Sequence, residues 1–365
     1  MSVTHQRNEP PPFMNFPISR RTFLIRAAAF AGCLLLPPLR PVLSSPKAFP
    51  PEVMAARQAL LNSYQNTLKS FLSRGQLPII DVEQHWGRKV PLAELLAKMD
   101  RNGVALTWLG PNERNGNVSS LEDCRQFPDR LVPTTIGGDG PRWHGKDLSL
   151  IQELQADVRS GAYFSMGEFE ARHYISSTNN RNIHMPLDSE SFQGVFQVAA
   201  ETGIPLLLHH EAEDALLPEL EKMLSRYPKA DVIWCHVGRN RDPKTWTRLP
   251  TPEGVRQFLK KYPNLYFDIV QSGPGSVFPP TGAHEAILYE TGNGSPRLKE
   301  EWRHLFNVFS DRFVLGSDVN PGRWEGYDKV MSRFRTAVLS ALAPATAEKI
   351  AFQNAWRLMS GENWT

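Results

Sequence analysis

Short runs of apolar, β-branched and aromatic residues recur along the chain, separated by stretches whose apolar positions repeat every three or four residues. The runs predict eight strands, at 77–82, 104–108, 131–134, 163–166, 205–208, 232–235, 265–268 and 313–316. Helical spacing fills most of the intervals, at 91–101, 189–202, 217–227, 251–262 and 326–342. A leading helix is predicted over 51–74, where Met54, Leu60, Leu61, Tyr64, Leu68, Phe71 and Leu72 recur at helical spacing. Strands that are apolar throughout and alternate with helices belong to a sheet covered on both faces. Eight such units over roughly 280 residues predict an α/β fold of the (β/α)8 TIM-barrel class with an N-terminal helical extension, rather than an open sheet with a second domain. The expected organisation is a leader over 1–45, the helical extension over 46–76, the barrel over 77–360 and a short tail over 361–365. The Gly- and Pro-rich stretch 271–296 reads as a long loop after the seventh strand, where barrels build their substrate loops.

Composition supports a folded, water-soluble chain, with 41% hydrophobic and 22% charged residues among 365. The net charge of +3 is concentrated at the start. Residues 1–45 hold five arginines against the single acid Glu9, and the remaining 320 residues carry 36 bases and 37 acids. A near-neutral body lacks the global electrostatic footprint of a nucleic-acid binder, so no nucleic-acid partner is expected. Three cysteines make no disulfide framework.

The leader has its own grammar. Ser19-Arg20-Arg21-Thr22-Phe23-Leu24 precedes a ten-residue apolar run, Ala27 to Leu36, too short to span a bilayer. It resembles the twin-arginine signal of bacterial exported proteins, with Ile25 where a Lys is usual. The resemblance implies the twin-arginine export machinery as a partner, a periplasmic or otherwise exported location, and no membrane span in the mature form. Cleavage is expected near Ser44 or Ser45, with lipidation at Cys33 as the alternative. Because that route carries folded proteins, a cofactor inserted in the cytoplasm can travel with the chain, which suits a metalloprotein.

Ionisable residues fall at the carboxyl ends of the predicted strands, the catalytic face of such a barrel. Strand 1 leads into Glu83-Gln84-His85, strand 4 into Gly167-Glu168-Phe169-Glu170, strand 5 into His209-His210, strand 6 into His236 and strand 8 into Gly316-Ser317-Asp318. Each alone is weak, since a lone strand-end His usually has a structural role. Five coinciding ends suit a divalent metal, with zinc the first choice and manganese the second. Glu170 and His210 stand as alternatives to Glu168 and His209, and His173 and His184 are expected in an exposed loop. Cys235 reads as a buried core thiol.

This pattern resembles the amidohydrolase superfamily, particularly its amidohydrolase-related metal-dependent hydrolases, from about residue 79 to 359. The matching motifs are Pro205-Leu206-Leu207-Leu208-His209, Trp234-Cys235-His236-Val237-Gly238, Leu315-Gly316-Ser317-Asp318 and the closing Asn354-Ala355 pair. The resemblance implies metal ligands at Glu83, His85, Glu168, His209, His236 and Asp318. In a two-metal arrangement Glu83, His85 and Asp318 hold one ion, His209 and His236 the other, and Glu168 spans them. It also implies Asp318 and His236 as catalytic residues, with Asp318 both ligand and general base. One departure stands out: Glu83 occupies the place of the family's first strand-1 His. Glu-x-His there is similar to the family's one-metal, non-oxidative decarboxylases of hydroxybenzoate-type acids.

Metal-activated water attacking a carbonyl or phosphoester centre is therefore the expected chemistry. Decarboxylation of an aromatic or unsaturated acid is the second reading, and a non-catalytic metal- or ligand-binding descendant the third. Arg239, Arg172 and Arg323 are candidates to hold an anionic group on a small-molecule substrate, against the plain reading of rim salt bridges. Trp86 and Trp324 are candidates for an apolar wall beside them, against the plain reading of packing under a loop. A homodimer is left open.

Overall fold

The computed structural model describes residues 49–87, 89–112, 119–138, 140–175, 182–290 and 295–365. The leader, with its arginine pair and Cys33, lies outside the described residues.

Eight strands form the frame: β1 (Ile79–Trp86), β2 (Val104–Pro111), β3 (Leu131–Pro133), β4 (Met166–His173), β5 (Leu206–His210), β6 (Val232–Trp234), β7 (Leu265–Asp268) and β8 (Phe313–Val314). Neighbours pair in parallel, β1 with β2, β2 with β3, and then β4 through β8 in sequence order. Two junctions complete the ring. Thr134 and Gly138 bridge to Ser165 and Phe169, joining the β3 edge to β4, and Leu315 and Val319 bridge to Asp81 and Gln84, joining β8 back to β1. The second junction is a backbone ladder, with Val82 N donating to Leu315 O at 2.8 Å and His85 N to Val319 O at 3.0 Å. The sheet is thus a closed eight-stranded barrel, as the alternation of elements predicts.

The local signals account for the helices between strands. Ser189 caps Glu190–Thr202 by accepting from Phe192 N, and Thr251 caps Pro252–Lys261 by accepting from Gly254 N. Gly103 and Gly203 end the helices Leu92–Asn102 and Glu190–Thr202 in the left-handed conformation.

The leading helix α1 (Pro51–Ser73) packs with Leu61, Tyr64, Leu68 and Phe71 buried. Tyr64 Oη donates to Leu131 O, and Arg57 donates to Gly161 O and Tyr163 O while lying 3.8 Å from the Phe164 ring centre. These partners precede or begin β3 and β4, so α1 covers the amino-terminal end of the barrel, opposite the predicted site.

The boundaries of β1 and β4 differ from the sequence reading for the same reason. β1 runs on to Trp86 and β4 lies at 166–173 rather than 163–166, so Glu83, His85, Glu168 and Glu170 sit inside strands and not just beyond them. Hydropathy ends a strand where charges begin, but here the charged residues point into a shared polar interior while backbone pairing continues. His173, expected in an exposed loop, is the last residue of β4 and is buried, with its ring 4.3 Å from that of His209. His184 is exposed on a two-residue strand paired with β4. The stretch after β7 carries a small hairpin, Val277–Phe278 with Ala283–His284. Among the described residues no helix is long and apolar enough to cross a membrane.

Candidate metal centre

Six side chains from five strand ends meet at the carboxyl end of the barrel, and they are the six that the sequence singled out. Glu168 lies at the middle. Its Oε1 is 2.9 Å from His209 Nδ1 and 3.5 Å from His236 Nε2, and its Oε2 is 3.4 Å from His85 Nε2. His85 Nε2 is also 3.7 Å from Glu83 Oε1 and 3.5 Å from Asp318 Oδ1. His236 Nε2 closes the group, 3.1 Å from His209 Nδ1, 3.9 Å from Glu83 and 4.0 Å from Asp318. Donor atoms of Glu168, His209 and His236 lie close enough to share one ion, as do those of Glu83, His85 and Glu168.

Backbone geometry delivers these groups. After β6 the chain turns through His236, Val237 and Gly238 with φ of 61°, 56° and 62°, a left-handed run that is costly for the β-branched Val237. The turn is pinned by Asp268 at the end of β7, whose Oδ2 accepts from His236 N at 3.1 Å. Gln271 Nε2 donates to His236 O at 2.9 Å. Asp318 also has positive φ, 50°, with its N–H donating to Glu83 O at 2.8 Å. Gly316 precedes it because β1 and β8 touch there: a Cβ at 316 would stand 2.7 Å from Glu83 Cβ.

Strand alternation separates the two histidines, while Glu170, two residues on from Glu168, is separated by its own partner. His209 faces the cluster, whereas the His210 ring lies against Trp234 at 5.8 Å between centres, on the far side of β5. Glu170 turns to His144, with Oε2 2.9 Å from Nε2.

Acid and imidazole charges oppose one another in a buried space. Burial, reinforced by Asp268 and Glu168, pushes the Glu83 carboxyl well above its usual range. For Glu168 burial acts in the same direction, but His209, His236 and His85 outweigh it and hold the carboxyl well below. Burial would likewise raise Asp318, yet Arg323 and His85 hold it well below. Glu83 Oε1 and Oε2 are both buried without a hydrogen bond. Two orphaned carboxyl oxygens beside the imidazoles of His85 and His236 fit a divalent cation, which would satisfy both sets at once.

Sequence reasoning missed a supporting layer. Glu211, fully buried, stands 3.7 Å from His209 Nε2 and is itself gripped by Arg241, at 2.5 Å to Nη1 and 2.9 Å to the backbone N. Arg241 Nε continues to Glu285 at 2.9 Å, in the loop after β7. Asp268, Cys235 and Glu83 form a further buried group beneath the centre. Asp268 ends a predicted strand and Glu211 follows His209 by two, so both were visible as strand-end acids.

The substrate candidates divide. A cavity of about 810 Å³ opens beside His236 and Asp318 and is lined by Arg239 and Arg323 among others. Arg323, expected to hold substrate, instead grips Asp318, at 2.6 Å to Oδ1 and 3.1 Å to Oδ2. Arg172 is not among the cavity's lining residues. Its Nε binds Glu213, its Nη1 donates to Asn182 and Ile183 O, and its guanidinium lies 3.9 Å from the Tyr174 ring centre, so it ties strand and loop together. Trp86, expected as a cavity wall, is 2% exposed and meets Trp324 edge-on at 6.5 Å. Trp324, the other candidate, does line the cavity, whereas Trp86 ends a barrel strand and packs beneath the loop.

No curated protein matches the chain. Among solved structures it is similar to a dihydroorotase from Saccharomyces cerevisiae in complex with 5-fluoroorotic acid (13% identity, 77% of this chain and 83% of that one, TM-score 0.49). It is also similar to an amidohydrolase from Burkholderia multivorans with bound zinc (16%, 77% and 99%, TM-score 0.46) and to a 2,6-dihydroxybenzoate decarboxylase (15%, 78% and 99%, TM-score 0.45). At these TM-scores the likenesses decide nothing further, and the barrel rests on its own strand closure. The amidohydrolase family model matches residues 172–359, a span that holds His209, His236 and Asp318 and more than half of the 365 residues, and the chain therefore belongs to the amidohydrolase family.

Proposed function

We propose that the protein is an exported metal-dependent hydrolase acting on an ester, lactone, amide or phosphoester. The family is metal-dependent, and the buried clusters of His, Glu and Asp are able to bind a metal. One observation carries the finer reading: Glu168 presents its two oxygens to different ligand groups, Oε1 to His209 and His236 and Oε2 to His85. A carboxylate so placed suits a pair of ions, with Glu83, His85 and Asp318 holding one and His209 and His236 the other.

A bound divalent ion would lower the pKa of its water toward about 7 and polarise the scissile group. The residues of the chain do the rest. Asp318, kept anionic by Arg323, is placed to accept the proton of an attacking water and return it to the leaving group. His236, fixed by Asp268 and Gln271 through its backbone, orients its Nε2 toward the same space. Glu211 holds the outer face of the His209 ring, as carboxylates behind metal-bound imidazoles do.

The second reading, one-metal decarboxylation of an aromatic or unsaturated acid, is favoured by Glu83, an acid where the resembled hydrolases carry a His. Zinc is the first candidate ion and manganese the second. Export follows from the arginine pair Arg20-Arg21 and its apolar run.

The test is bound metal per chain, by plasma mass spectrometry on protein reconstituted with Zn²⁺ or Mn²⁺, with lactones, esters and phosphotriesters assayed against aromatic acids. About two ions with hydrolytic turnover is the expected result. One ion with release of carbon dioxide would establish the second reading, and no bound metal would overturn both.

A further inference from the structure

Three acids, Glu211, Glu285 and Asp318, stand near three arginines, Arg239, Arg241 and Arg323, and they do not pair off evenly. Arg241 takes both Glu211 and Glu285, at 2.5 and 2.9 Å, and Arg323 takes Asp318 at 2.6 Å. Arg239 is left over. It is 94% buried, it lines the 810 Å³ cavity with His236 and Asp318, and its guanidinium has no hydrogen bond or ion pair among the described residues, down to a fully buried Nε. A guanidinium carries five N–H donors and cannot shed its charge, so burying one without an acceptor is unfavourable unless a ligand supplies it.

The position of Arg239 follows from the same turn that places His236. Three successive left-handed residues return the chain on itself, Arg239 N donates to His236 O at 3.0 Å, and the arginine emerges beside the imidazole. The side chain is therefore held on the same rigid turn as a proposed metal ligand.

We infer that Arg239 anchors a carboxylate of the substrate, which makes the substrate a small organic acid whose reacting group is set beside His236 and Asp318 by that anchor. This rests on the site reading given above. The planar fork of a guanidinium matches a carboxylate with two parallel hydrogen bonds. Val90, Val270, Val319 and Trp324 also line the cavity, and these apolar surfaces suit the carbon skeleton of an organic acid better than a hydrated inorganic anion.

Calorimetry on the zinc-loaded protein with benzoate, its uncharged isostere benzamide, and sulfate tests this. The expected result is benzoate binding at least about tenfold tighter than benzamide or sulfate. Arg239→Gln should bring benzoate to the level of benzamide with bound zinc unchanged, and Arg239→Lys, which keeps charge but not the fork, should recover part of the difference. Equal binding of benzoate and benzamide, or a benzoate affinity indifferent to Arg239→Gln and Arg239→Lys, would overturn the inference. Sulfate binding tighter than benzoate, or loss of zinc from both variants, would overturn it too. Zinc content reports separately on the metal reading: a wild-type chain without zinc that still needs Arg239 for benzoate would sink that reading and keep this one.

Discussion

Glu168 Oε1 lies 2.9 Å from His209 Nδ1, while its Oε2 faces His85 from the opposite side. A single side chain thus joins the two halves of the candidate centre, β1 and β8 on one side and β5 with the turn after β6 on the other. Glu168→Gln keeps the shape and removes the charge. Bound metal should fall from about two ions per chain to about one, with the circular dichroism spectrum unchanged. Two ions retained in the variant would show that Glu168 does not bridge.

The Glu211 carboxylate stands behind His209 and is held by Arg241. Glu211→Gln should weaken metal binding by about 10- to 100-fold, as loss of the group behind a metal-bound imidazole does. Competition with a chromogenic chelator measures this. An unchanged affinity would reduce Glu211 to a partner of Arg241 alone.

Arg172 binds Glu213 and the strand at Ile183 rather than the cavity. Arg172→Gln should therefore cost about 1 to 3 kcal/mol of stability in urea unfolding and leave the KM of any hydrolysed substrate within about twofold. A large rise in KM at unchanged stability would restore Arg172 to the substrate site.

Asp231, just ahead of β6, has its carboxyl pushed up to about 6 by burial, against the pull of Arg357 and Arg312. A group that binds its proton more tightly when folded adds stability below its unfolded pKa of about 3.9. That contribution disappears as pH rises from about 4 to about 6. Asp231→Asn should accordingly be about 1 to 3 kcal/mol more stable than wild type at pH 7.5 and no more stable at pH 4, by urea unfolding at both values. A variant equally destabilised at both would show that Asp231 acts through its hydrogen bonds or packing instead.

Much of the architecture was legible because local chemistry and global fold agree. Eight apolar runs spaced by amphipathic segments leave little choice but a parallel sheet with helices outside. The six candidate ligands were legible as well, since charged residues at the ends of otherwise apolar strands have a high desolvation cost unless they face one another. Strand limits were less so: β4 continues through Glu168 and Glu170 because pairing with β5 continues there, while hydropathy does not.

The sequence by itself determined the barrel, the leading helix and the set of residues at its carboxyl end, because periodicity and burial are properties each segment carries alone. It could not say which charged side chain would meet which. Arg172, Arg239 and Arg323 look alike along the chain, yet one ties a strand to a loop, one grips Asp318 and one is left facing the cavity. Those outcomes depend on distances in space between residues from five to about forty positions apart, set by closure of the ring between β8 and β1 and by the left-handed turn at His236. Electrostatic pairing falls off over a few ångströms, so only the tertiary structure, which fixes those separations, could assign the partners.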